Sequence, residues 1–169
     1  MQSLLARLFA VPVPPRPPVP PTKTRICVAG YGLSHNTGRA QRLAAAIAAA
    51  HPARYETWFY FSTFCYRDFL ESIKTEIPEE QKSLPSTLDA GSPCMAQHRS
   101  APFVWFERAA APQFQAVGGR DKFCDWARTE FANQEDIQAW TSLEEPPLTE
   151  LFFDNATPGG TWMGGGGAK

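Results

Sequence analysis

Apolar and polar positions divide this chain into short runs separated by glycine and proline. Ile26, Cys27, Val28 and Ala29 are consecutive apolar residues and predict a buried strand. A glycine-punctuated turn follows over residues 31–38. Beyond it Ala40, Leu43, Ala44, Ile47 and Ala48 recur at i, i+3, i+4, i+7 and i+8, the stripe of a helix laid on a sheet. Pro52 ends that helix, with His51 at its end facing solvent. The β-prone run YETWFYF over residues 55–61 predicts a second, largely buried strand. A second helix then places Tyr66, Phe69, Leu70, Ile73 and Ile77 on one face and Arg67, Asp68, Glu71 and Lys74 on the other, and stops at Pro78. This βαβα pattern implies parallel strands joined by right-handed crossovers.

Residues 79–98 (EEQKSLPSTLDAGSPCMAQH) hold no sustained period and read as a long surface loop, a length that usually serves a partner or a function. A third strand, Phe103-Val104-Trp105-Phe106, follows Pro102 directly. Residues 108–112 turn the chain, and 114–117 form a short fourth strand. Gly118-Gly119 leads into a third helix with Phe123, Trp126, Ala127 and Phe131 as its apolar stripe. The order βαβαββα describes an α/β domain with a four-stranded mixed sheet over residues 24–134. Residues 135–169 are an extension in which Glu144-Glu145-Pro146-Pro147 breaks any helix. Residues 148–153 are either a short helix or an extended segment, and PGGTWMGGGGAK is flexible by composition.

With 169 residues the chain has room for one ordinary domain and two tails, and its 43 % apolar and 12 % aromatic content fills a core. No apolar run reaches membrane-spanning length, so the chain is not itself transmembrane. A formal net charge of -1, with no concentrated basic surface, argues against a nucleic-acid partner. Cys27, Cys65, Cys94 and Cys124 are scattered, without CxxC or zinc-finger spacing, and read as free thiols of a reducing compartment, with a disulfide between two of them left open. Asn155-Ala156-Thr157 matches a glycosylation acceptor, but nothing else suggests secretion.

The first 23 residues contain Arg7, Arg16 and Lys23 and no acidic residue. MQSLLARLFA suits a short amphipathic helix, and VPVPPRPPVPP enforces polyproline II. An acid-free, arginine-containing segment of this kind resembles an organelle transit sequence. It reads equally as a proline-rich interaction arm, and a targeting segment that is not cleaved is both. Neither this arm nor the glycine-rich tail buries enough surface to offset its own backbone entropy, so order in either implies something that holds it.

Three anchors within the βαβαββα order resemble the glutaredoxins of the thioredoxin superfamily, over about residues 25–133. Ser100-Ala101-Pro102, with Gln97 and Arg99 upstream, looks like the family's Thr-Val-Pro segment. In the family that proline is cis and the backbone before it pairs with glutathione. Gly118-Gly119-Arg120-Asp121 is similar to the family's Gly-Gly-x-Asp, where helix amides bind the γ-glutamyl carboxylate. Arg39-Ala40-Gln41 matches the start of the family's first helix. Counting back from it, the Cys-Pro-Tyr-Cys of the family falls on Ser34-His35-Asn36-Thr37, and the family's lysine falls on Tyr31. The resemblance thus implies a thioredoxin-like, glutaredoxin-type three-layer fold in which both active-site thiols are gone. Exchange with a disulfide requires a thiolate, and serine cannot supply one. A monothiol mechanism and an iron–sulfur cluster both require the first cysteine and fall with it.

The turn offers no replacement chemistry. Ser34 and His35 are neighbours, and adjacent side chains rarely face one another as nucleophile and base. No catalytic residue is therefore assigned, and Asn36 or Thr37 is expected to cap the helix. Cys27 is a core thiol, and packing accounts for Cys65 and Cys124 at helix starts. Cys94, in the loop near Pro102, is the one candidate reactive cysteine. His51 and His98 lack paired carboxylates, so no metal site is expected. The favoured expectation is a redox-inactive structural accessory subunit of a larger, mitochondrial respiratory-chain assembly, contacted through residues 1–23, 79–98 and 135–169. A cytoplasmic location is the other possibility. The first alternative is a non-catalytic glutathione-binding module using Arg99, Ser100, Ala101, Pro102, Gly118, Gly119, Arg120 and Asp121, with Ser34 and Thr37 at the former cysteine positions. The second is a thiol oxidoreductase using Cys94.

Overall fold

A computed structural model describes residues 11–78 and 98–142. Cys94, Gln97 and most of the long loop, together with residues 1–10 and the glycine-rich end, lie outside the described residues. The elements run β1 (Thr24–Gly30), α1 (His35–Ala50), β2 (Tyr55–Phe61), α2 (Tyr66–Glu76), β3 (Phe103–Arg108), β4 (Phe114–Gly118), α3 (Arg120–Glu130) and α4 (Glu135–Gln138), closed by a 3-10 turn over Ala139–Thr141. The sheet order is β2-β1-β3-β4. β1 pairs parallel with β2 and antiparallel with β3, so Cys27 stands between Trp58 and Trp105. β4 joins antiparallel to β3 with an irregularity at Val104/Trp105.

The alternating faces of the strands explain why β1 reads as an unbroken apolar run. Ile26 and Val28, with Val104 and Phe106, pack beneath α1 and α3. Cys27 and Ala29, with Phe103 and Trp105, pack beneath α2. A central strand covered by helices on both sides has no solvent face on which to place a polar residue. The parallel β1–β2 pair and the three helical stripes are as the periodicity predicts.

Three expectations change. Lys74, assigned to the outer face of α2, is 7 % exposed and sets its ammonium 2.9 Å from the Glu71 carboxylate. Its aliphatic stem accounts for this, because a lysine can bury four methylenes while its head finds an acid. His51 ends α1 but does not face solvent freely, since its ring stacks on Phe131 at 5.2 Å and Nε2 lies 2.6 Å from Gln134 Oε1. The third change concerns the arm. Residues 11–23 are held by this chain's own side chains, through contacts described below, because carbonyl acceptors and one arginine suffice to seat a segment already stiffened by proline.

The segment after α3 also packs on the domain. Ile137 is buried with the α1–α3 cluster, Gln138 Nε2 donates to the Phe131 carbonyl at 2.9 Å, and the Arg128 guanidinium donates to the Thr141 carbonyl. Among the described residues no helix is long and apolar enough to cross a membrane.

Candidate functional site

The turn at the carboxyl end of β1 lies beside the amino ends of α1 and α3 and the segment entering β3. Each junction is made by a named side chain. Arg120 Nη1, at the first position of α3, donates to Asn36 Oδ1 in the first turn of α1 at 2.8 Å, and Nη2 donates to the Ser142 carbonyl. Tyr66, at the start of α2, donates its hydroxyl to the Ser100 carbonyl at 2.6 Å. Its ring meets Tyr31 edge-on at 4.7 Å, and the Tyr31 hydroxyl accepts from Arg67 Nε at 2.9 Å. A side chain at Gly119 would stand 3.7 Å from His98 Cε1 and 4.0 Å from the Pro102 carbonyl oxygen. The three segments singled out in the sequence therefore converge on one region.

Within that region Ala101–Pro102 is cis, as the resemblance implies, and Ala111–Pro112 is a second cis bond that nothing in the sequence singled out. Arg99, Ser100 and Asp121 are exposed, Ala101 and Gly119 half-buried, and Pro102 and Gly118 buried. Gly118 has φ of 114°, a backbone conformation that favours glycine. Arg120 is 6 % exposed, its charge directed inward to α1 and to the segment that follows the 3-10 turn.

The capping expectation is corrected. α1 begins at His35, so Asn36 and Thr37 lie inside it, and the cap position is Ser34, which makes no side-chain cap bond. Asn36 spends its carbonyl on Arg120 instead. Thr37 is 2 % exposed and is packed against Gly30, the last residue of β1.

Cys27, Cys65 and Cys124 are free thiols. Burial, reinforced by the nearby Glu107 carboxylate, pushes the Cys27 thiol well up, and burial also raises Cys124. Both are therefore held protonated and non-nucleophilic at neutral pH. Burial likewise raises the Tyr66 phenol, and it lowers His98, so the His98 imidazole is neutral at pH 7. Among the described residues no three His, Cys, Asp or Glu side chains gather into a metal-binding cluster.

Two features go beyond what the sequence predicts. One is His98, whose ring tilts against Phe103 at 5.3 Å beside Gly119. Its only advance signal was its position four residues before Pro102. The other is an ion network at the opposite end of the sheet. Glu107, 6 % exposed, accepts from Arg16 Nη1 at 2.5 Å, Trp105 Nε1 at 3.0 Å and Arg25 Nη1 at 3.2 Å, while Arg25 also reaches Glu56 at 2.6 Å. Its signal was legible in principle: a carboxylate closing the otherwise apolar run FVWFE, opposite an arginine at the start of β1.

Neither a protein-family model nor a curated protein matches this chain.

Proposed function

We propose that this chain is a glutaredoxin-like protein of thioredoxin fold that has lost thiol chemistry and serves as a structural accessory subunit of a larger assembly, mitochondrial and of the respiratory-chain kind. The observation that carries the reading is the state of the turn after β1. Where the family carries its second thiol, Thr37 is packed beneath a strand, and Asn36 beside it is held by Arg120. Where the first thiol belongs, Ser34 supplies no thiolate. Such a turn joins elements rather than reacting with a substrate.

The arm supports the assembly half of the proposal. Arg16 is engaged by two carboxylates of the domain, so residues 11–23 of the transit-like segment pack on the folded chain. Its remaining surface, the long loop and the glycine-rich end are then contacts for neighbouring subunits. Gentle detergent extraction and native electrophoresis of the endogenous protein test this. The chain is expected to migrate with a complex many times its own 18.7 kDa. Migration at its own mass sinks the proposal.

A second reading, a module that holds glutathione without reacting with it, is favoured by the exposure of Arg99, Ser100 and Asp121 around a buried Pro102. The amides at the start of α3 favour an anion, so they would take the γ-glutamyl carboxylate while its ammonium pairs with Asp121. On this reading calorimetric titration gives binding in the millimolar range or tighter, lost in Asp121→Ala. No heat from either protein removes the reading and leaves the scaffold.

A further inference from the structure

The arm does more than cover a surface, because the groups that hold it form a matched set. Residues 11–21 read VPVPPRPPVPP, and prolines lack an N–H, so the segment presents carbonyl acceptors and few donors. Trp58 and Tyr60, two residues apart on one face of β2, supply the complementary donors. Trp58 Nε1 donates to the Pro15 carbonyl at 3.3 Å, and the Tyr60 hydroxyl donates to the Val11 carbonyl at 3.1 Å. The single cation is read separately. Arg16 reaches Glu107 at 2.5 Å and Glu76, and its guanidinium lies 5.7 Å from the centre of the Trp58 ring. A shallow cleft of about 280 Å³ continues beside Arg16, toward Arg108 and Phe114. Aromatic donors to proline carbonyls, with acids reading one arginine, are the chemistry by which folded domains recognise polyproline II peptides.

We propose that the Trp58–Tyr60–Glu76–Glu107 surface is a recognition site for proline-rich peptides bearing one arginine, and that residues 11–18 are its ligand in cis. A proline-rich, arginine-bearing segment of a partner protein takes the same site by displacing the arm. A tethered ligand acts at an effective concentration of about a millimolar, so the arm blocks weak competitors and yields to a partner of higher affinity. The inference does not depend on the glutaredoxin resemblance.

The test is a titration of the isotope-labelled full chain with the synthetic peptide VPVPPRPPVPP and with a counterpart in which alanine replaces its arginine. Arg16→Glu in the chain sets a carboxylate against Glu76 and Glu107 and expels the arm. That chain is expected to bind the peptide at least about tenfold more tightly than wild type, the factor by which a millimolar tether penalises a ligand of about 100 μM affinity. The alanine peptide is expected to lose the binding. In the wild-type chain, excess peptide moves the Val13 and Arg16 amide resonances to free-chain positions, a readout that stands even where the Arg16→Glu chain does not fold. Equal affinity for the two peptides overturns the proposal, and so do arm resonances that stay in place at several millimolar peptide.

Discussion

Replacing Glu107 with leucine is expected to lower the unfolding free energy by about 3 kcal/mol. Glu107 and Arg25 are 6 % and 4 % exposed, so water does not compensate either charge when its partner is removed. Without Glu107, Arg25 keeps Glu56 alone among the described residues, the Trp105 indole loses its acceptor, and Arg16 is left with Glu76 at the surface. Breaking a buried pair from one side costs far more than the pair contributes as a whole, because an uncompensated ion stays inside. Urea unfolding followed by tryptophan fluorescence should place the midpoint about 1.5 M lower, for a slope of about 2 kcal/mol/M. Glu76→Ala serves as the control, since its side chain is 43 % exposed and such pairs are worth about 1 kcal/mol or less. Adding Arg25→Met to Glu107→Leu should recover much of the loss, as apolar replacement of both partners removes the buried ion. Equal costs for Glu107→Leu and Glu76→Ala would show that the network holds little of the fold.

Strands β1 to β4 and helices α1 to α3 were legible because each buries a face whose pattern survives in the sequence, whereas α4 and the 3-10 turn are too short to show a period. The run YETWFYF gave β2 its residues, and the spacing of Tyr66, Phe69, Leu70 and Ile73 gave α2 its inner stripe. The convergence of the candidate site was legible through the order of its anchors. Ser100 to Pro102 and Gly118 to Asp121 stand at facing ends of the β3–β4 hairpin, and any chain that pairs those strands brings them together.

What the sequence did not disclose are contacts between residues far apart, where period and propensity carry no information. Arg120 to Asn36 spans 84 positions and Arg16 to Glu107 spans 91. The cap was misplaced for the same reason: Asn36 is a good capping residue locally, but its carbonyl is claimed by Arg120 from another element. The seat of the arm is not legible because a proline-rich run carries no helix or strand period. What seats it are carbonyl oxygens, which every sequence possesses, and donors that become visible only when Trp58 and Tyr60 stand on one face.

Gly30→Ala is expected to cost about 2–3 kcal/mol, through its close approach to Thr37. A Cβ on Gly30 would fall 2.8 Å from Thr37 Cγ2 and 3.1 Å from Thr37 Cβ, and nearer still to Oγ1. Neither side can yield cheaply. Gly30 is fixed in β1 by pairing with Phe61 and by the Ser62 amide, which donates to its carbonyl at 3.0 Å, and Thr37 is held in the first turn of α1, 2 % exposed. A β-branched side chain in a helix has few rotamers to turn to. Thr37→Ala alone is expected to change stability by about 1 kcal/mol or less, because the buried Thr37 hydroxyl has no hydrogen-bond partner among the described residues. The two substitutions should then couple. With alanine at both sites only the 3.1 Å Cβ contact remains, which a shift of a few tenths of an ångström relieves, so the double variant recovers about 1–2 kcal/mol of the Gly30→Ala loss. Additive costs in this cycle would mean that Thr37 is not what limits the approach of helix to strand. Coupling of the expected size would mean that Thr37 is the spacer that sets how closely α1 lies on β1.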